Sequence, residues 1–148
     1  MSNQSMSFQG VRLLAVDGDF DTRILLNYLF ELGGAEIITA ASVGEAMAIM
    51  SFFKPDILIS EICLPDEDGY SLLLKVRNLE AKRGRHIPAI ALTASVSEED
   101  HDFALAVGYD IYRCKPIDLD ELAFMVVSLI GIDNRLEILG CNKEEASK

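Results

Sequence analysis

The chain is poor in basic residues, in proline and in cysteine, and each shortage excludes something. Thirteen Lys and Arg stand against 24 Asp and Glu, a formal net charge of −11. Neutralising a phosphate backbone takes clustered cations, so this balance argues against a nucleic-acid-binding surface. With only four prolines, half of the residues apolar and a quarter charged, the composition excludes a disordered class. Cys63, Cys114 and Cys141 form an odd, unpatterned set, which suits reduced thiols better than a disulfide framework or a zinc site. No apolar run approaches the length of a membrane span, and the first seven residues lack the basic and apolar regions of a signal peptide. A cytoplasmic protein without a membrane partner is the expectation.

Repeats, low-complexity segments and interdomain linkers are missing too, and 148 residues leave room for one well-buried core. What the chain does have is a strand-helix alternation, five times over. Strands are expected at 11–16, 36–39, 57–60, 89–92 and 110–113. The acids and Thr of Asp19-Phe20-Asp21-Thr22 can cap a first helix, Ser42 and Asp118 are placed to cap others, Ser97-Glu98-Glu99-Asp100 starts a fourth, and a further helix is expected from about Tyr70 to Lys82. In the first helix Ile24, Leu25, Tyr28, Leu29 and Leu32 fall at helical spacing, and Gly33-Gly34 stops it. Residues 1–9 read as an N-terminal extension, 10–131 as the folded unit and 132–148 as an increasingly charged tail.

Short links between alternating strands and helices imply a doubly wound α/β fold, a five-stranded parallel sheet with helices on both faces and strand order 2-1-3-4-5. In such sheets the functional crevice lies beyond the carboxyl ends of the strands, where the order reverses. Four of these strands end in chemistry-bearing side chains: Asp17, Glu61, Thr93 and Lys115. Strands one and three are neighbours in this order, so Asp17 should face Glu61.

Over residues 10–131 the chain closely resembles a response-regulator receiver domain, a flavodoxin-like module of two-component signalling. The matching residues are Val16-Asp17, Pro55-Asp56 leading to Glu61, the loop Leu64-Pro65-Asp66-Glu67-Asp68-Gly69, Thr93-Ala94 and Lys115-Pro116. The resemblance implies a phosphoacceptor at the Glu61 position, normally an aspartate. It implies Mg²⁺ held by Asp17, Glu61 and the Cys63 backbone carbonyl, with Asp19 a further candidate, and phosphoryl contacts from Thr93 and Lys115. An aromatic at the Tyr112 position would change rotamer as the face of helix four, strand five and helix five is remodelled. Implied partners are a histidine kinase, a phosphotransfer protein or a separate effector, with a homodimer through that face as a further candidate.

The chain departs from this pattern at two central positions. Glu61 stands where an aspartate is usual, and Gly18 replaces the second acid after strand one, giving Asp17-Gly18-Asp19. The extra methylene moves the reacting oxygen by roughly 1.5 Å, and a misplacement of about 1 Å can cost about 10²-fold in rate. Loss of a metal-facing carboxylate weakens Mg²⁺ binding and the charge neutralisation on which phosphoryl transfer depends. A module that accepts phosphate poorly or not at all, and acts by protein contacts rather than as an enzyme, is expected. Two readings of Glu61 stay open: a permanent charge that biases the switch towards its active form, or a simple salt bridge to Lys115.

The alternative function is a phosphohydrolase-like enzyme on a similar doubly wound sheet. Its nucleophile would be an aspartate with a second acid close behind, whereas Ile62 and Cys63 follow Glu61. A flavin site lacks a hydroxyl- or glycine-rich phosphate cradle after strand one. His86 and His101 have no metal-ligand spacing and are expected in solvent, Arg113 is expected as an ordinary solvated arginine, and the acids Asp66, Glu67 and Asp68 as a solvated turn. Cys63 and Cys114 lie on strands about 9.6 Å apart by two strand spacings, too far for a disulfide.

Overall fold

Ile57–Ser60 and Ala89–Thr93 are buried at every position, as strands are when helices cover both faces of a parallel sheet. The computed structural model describes residues 7–94 and 97–131. Its strands are β1 (Arg12–Val16), β2 (Glu36–Ala40), β3 (Ile57–Ser60), β4 (Ala89–Thr93) and β5 (Ile111–Cys114). Its helices are α1 (Phe20–Leu32), α2 (Val43–Met50), α3 (Gly69–Arg83), α4 (Glu98–Val107) and α5 (Leu119–Ile130). Every strand pair is parallel and the order is β2-β1-β3-β4-β5, as expected. Val16 lies beside Ser60 in the β1–β3 register, so Asp17 and Glu61 leave the sheet side by side.

Two apolar layers sandwich the sheet. Met50, Phe53, Leu72, Val76 and Ala104 belong to the layer under α2, α3 and α4. Leu26, Phe30, Leu122 and Val126 belong to the layer under α1 and α5. Asp19, Ser42, Asp68, Ser97 and Asp118 each accept an N–H from the third residue beyond, which satisfies donors that a helix start leaves open. The Asp68 cap starts α3 at Gly69, just ahead of the expected Tyr70.

The first helix turns a different face to the core than its apolar spacing suggested. Thr22, Leu26 and Phe30 are buried, and Leu29 packs at the edge of that layer. Ile24, Leu25, Tyr28 and Leu32 lie in solvent together with Phe20; Phe20, Tyr28 and Leu32 are 62%, 63% and 67% exposed. The phase is set at the start of the helix. Asp19 donates its N–H to Asp17 Oδ1 (2.9 Å) while its own carboxylate holds Thr22, so the Thr22–Leu26–Phe30 row faces the sheet.

Phe8, within the expected N-terminal extension, is buried against Phe30 with ring centroids 5.0 Å apart, and its N–H reaches the Gly33 carbonyl at 2.7 Å. The expected tail at 132–148, with Cys141, lies outside the described residues.

Candidate functional site

The carboxyl ends of β1, β3, β4 and β5 bring Asp17, Glu61, Thr93 and Lys115 to one end of the sheet. Lys115 is the centre of the cluster. Its Nζ lies 2.9 Å from Asp17 Oδ2 and 3.0 Å from Glu61 Oε1. Its backbone N–H donates to the Thr93 carbonyl at 2.8 Å, which extends the β4–β5 pairing into the site. The Lys115–Pro116 peptide is cis. Asp17 and Glu61 are 3% and 5% exposed, so two carboxylates and one ammonium are gathered at the edge of the core. Burial pulls the Lys115 pKa down, but hydrogen bonds to Asp17 and Glu61 and their two charges outweigh it, and the amine ends above the ordinary lysine value.

The second oxygen of Glu61 turns away from Lys115. Its Oε2 accepts the N–H groups of Ile62 (2.7 Å) and Cys63 (3.2 Å), so the longer side chain folds back onto its own loop. Asp19 is engaged elsewhere: Oδ2 accepts the Thr22 N–H at 3.1 Å and the Thr22 hydroxyl at 2.6 Å. These bonds, led by the hydroxyl, hold the Asp19 pKa below its usual value. Gly18 contributes no side chain, although among the described residues a Cβ there would meet only Pro65 Cδ at 3.4 Å and Ala41 O at 3.8 Å. Thr93 is fully buried, and Cys63 is exposed on the loop.

The remaining residues singled out from the sequence meet their expectations in part. Asp66, Glu67 and Asp68 are exposed but not idle: Asp66 binds the start of α2, Asp68 caps α3, and Glu67 meets Ser71 and Lys75. Turn acids facing helix N-termini find N–H groups there, which a solvated turn does not offer. His101 is half-buried, its ring edge-on to Tyr112 with centroids 5.3 Å apart, while His86 is exposed beside Glu80. Tyr112 is buried in the layer under α3 and α4. Arg113 is exposed and pairs with Glu121 at 3.5 Å. Cys114 is an exposed thiol, and no disulfide joins it to Cys63.

Three supports of the site were not among the residues expected to form it. Arg23 donates to the Asp17 carbonyl at 2.8 Å. Gly69 donates to the Ile62 carbonyl at 2.7 Å. Tyr109, buried, donates its hydroxyl to the Gly69 carbonyl at 2.7 Å, and burial raises its pKa far above the usual phenol value. Only Gly69 had a hint, in the Asp-Gly that ends the loop.

The family model of the response regulator receiver domain matches residues 13–127, from β1 into α5. The chain belongs to the response-regulator receiver domains. Among curated relatives, an uncharacterised 14.6 kDa protein of Leptolyngbya boryana is 40% identical over 77% of this chain and 86% of its own length. The hybrid signal transduction histidine kinase D of Dictyostelium discoideum is 35% identical over 92% of this chain, which spans 9% of that protein. The chain spans about half the length of several further relatives. Among solved structures, a receiver domain protein from Methanospirillum hungatei matches with a TM-score of 0.74 at 28% identity, covering 86% of this chain and 97% of its own. A two-component response regulator from Clostridium difficile matches at 0.75 and 30%, covering 81% and 95%.

Receiver domains are signalling modules that typically bind Mg²⁺ at their phosphorylation site and interact with histidine kinases, phosphotransfer proteins or effectors. Among the described residues no helix is long and apolar enough to cross a membrane.

Proposed function

We propose that this chain is a stand-alone receiver module, built on residues 10–131, that passes on a two-component signal through protein contacts in one standing conformation and accepts a phosphoryl group poorly or not at all. The observation that carries this is the double contact of Lys115 with Asp17 and Glu61, at 2.9 and 3.0 Å. The acceptor carboxylate of a working site must have an oxygen free to attack the phosphorus in line with the leaving group, beside a charge-neutralising cation. Here one Glu61 oxygen faces an ammonium and the other faces two backbone N–H groups. Gly18 withholds the additional acid and Asp19 is committed to α1. Mg²⁺ binding is weakened on this reading, and the module is not an enzyme.

A contact function has a surface to work through. Phe20, Ile24, Leu25, Tyr28 and Leu32 form an exposed apolar face on α1, of the kind that marks a protein-binding site. The partners are a histidine kinase, a phosphotransfer protein or a separate effector, with self-association through the α4–β5–α5 face as a further mode. The size of the Leptolyngbya relative, 14.6 kDa, supports a receiver working alone.

The test is incubation with a small phosphodonor and Mg²⁺, followed by intact-mass analysis. The native chain is expected to stay unmodified. The Glu61→Asp, Gly18→Asp double variant, whose added Cβ at position 18 makes ordinary contact with Pro65 Cδ at 3.4 Å, is expected to gain one phosphoryl group. An adduct on the native chain overturns the reading.

A further inference from the structure

The carboxylates that the family would assign to Mg²⁺ converge on a cation the chain already carries. Asp17 Oδ2 and Glu61 Oε1 lie on either side of Lys115 Nζ. The remaining oxygens of the pair are also engaged: Asp17 Oδ1 accepts the Asp19 N–H at 2.9 Å, and Glu61 Oε2 accepts the Ile62 and Cys63 N–H groups. Mg²⁺ demands a near-octahedral shell of oxygens at about 2.0–2.1 Å and gives up its waters reluctantly. Oxygens already facing an ammonium and backbone donors do not present that shell. The donor set does not fit Mg²⁺ as it stands.

We propose that the Lys115 ammonium is the resident cation of this site, bridging Asp17 and Glu61 in place of a divalent ion, so that the native chain is metal-independent and removing the amine opens a divalent-cation site. Two nearly buried carboxylates need a counter-charge, and a lone one left without it is strongly unfavourable. Lys115 supplies that charge from within the chain, with its backbone fixed on Thr93. A divalent ion would have to displace a tethered amine, shed water and break the Glu61 contacts with the loop N–H groups. With the amine gone, Asp17 and Glu61 offer the one or two carboxylates on which Mg²⁺ sites are usually built.

This inference rests on the standing-conformation reading above, yet it fails separately: that reading falls with a phosphoryl adduct, this one with metal binding. The experiment follows backbone amide resonances and binding heat during addition of MgCl₂, with MnCl₂ broadening as a second probe. Native protein and Lys115→Arg, which keeps the positive charge, are expected to show no saturable response at Asp17, Glu61 and Cys63. Lys115→Met is expected to show one, with affinity at least about tenfold above any seen in the native chain (about 1.4 kcal/mol). Should Lys115→Met not fold, Lys115→Gln is measured instead, since its amide still hydrogen-bonds both carboxylates without carrying charge. Saturable Mg²⁺ binding by the native protein overturns the proposal, as does a folded, amine-free variant whose affinity does not rise.

Discussion

Asp66 and Gly44, 22 residues apart in sequence, are joined by a hydrogen bond: Asp66 Oδ2 accepts the Gly44 N–H at 2.9 Å. Its Oδ1 accepts from Val43 at 3.0 Å and from Glu67 at 2.8 Å. The loop that follows Glu61 is thereby tied to the first turn of α2, beside the Ser42 cap. The Gly44 N–H, followed by that of Val43, holds the Asp66 pKa below the usual aspartate value of 3.8.

A depressed carboxylate stabilises the fold above its unfolded pKa and loses that contribution as the pH falls through its lower folded value. Asp66→Ala is therefore expected to melt a few degrees below the native chain at neutral pH. The gap should shrink as the pH drops below about 3.8. Thermal melts across that range decide it; a gap that stays constant with pH would show that the charge of Asp66 is not what ties the loop.

Glu61→Gln keeps the length of the side chain and removes its charge. Lys115 then keeps its ion pair with Asp17 and loses the one with Glu61, and weakening a hydrogen bond to a charged group in a buried setting is expected to cost about 1.5–3 kcal/mol. The Tyr112 ring, buried under α3 and α4, should change its surroundings if the Glu61 charge sustains the standing conformation. Ring and amide resonances along β5 report this directly. An unchanged Tyr112 and unchanged partner binding would mean that Glu61 disables the switch without setting its state.

The sheet and its strand-end residues were legible because Asp17, Glu61 and Thr93 each lie where an apolar run stops and Lys115 follows the fifth strand, and in a parallel sheet the ends of all strands fall together. Asp17, Glu61, Thr93 and Lys115 needed only the strand order to be brought together. The face of α1 was not legible, since two apolar rows overlap on it and only the Asp17–Asp19–Thr22 tether chooses between them. Asp66 could not be read either. A turn acid gives no sign of which helix start it will meet, and α2 is distant in sequence. The fold-back of Glu61 onto Ile62 and Cys63 depends on loop geometry that the residue types do not encode.

Gly69 is required by space rather than by backbone conformation. A Cβ there would lie 2.6 Å from the Glu61 carbonyl and 2.9 Å from the Ile62 Cα, both backbone atoms with no freedom to swing aside. Gly69→Ala is expected to destabilise by about 1–3 kcal/mol, the usual cost of overpacking. Denaturant unfolding measures the loss. Amide shifts at Ile62 and Cys63 should accompany it, because the methyl group pushes on the segment that holds Glu61 Oε2. Native-like stability with unmoved shifts would contradict this account of the loop.

The two rows of α1 make opposite predictions. Phe30 is fully buried against Phe8, so Phe30→Ala should lose about 3–5 kcal/mol. Ile24 and Tyr28, on the other row, are in solvent, and Ile24→Ser with Tyr28→Ser should each stay within about 0.5 kcal/mol of the native chain. If that row is where a partner docks, the same serine variants lose binding while the fold persists, since buried apolar anchors dominate interface energies. Pairing denaturant unfolding with binding to a kinase or phosphotransfer partner separates the roles. A large stability loss from the serine variants would place that row in the core and remove it as a contact surface.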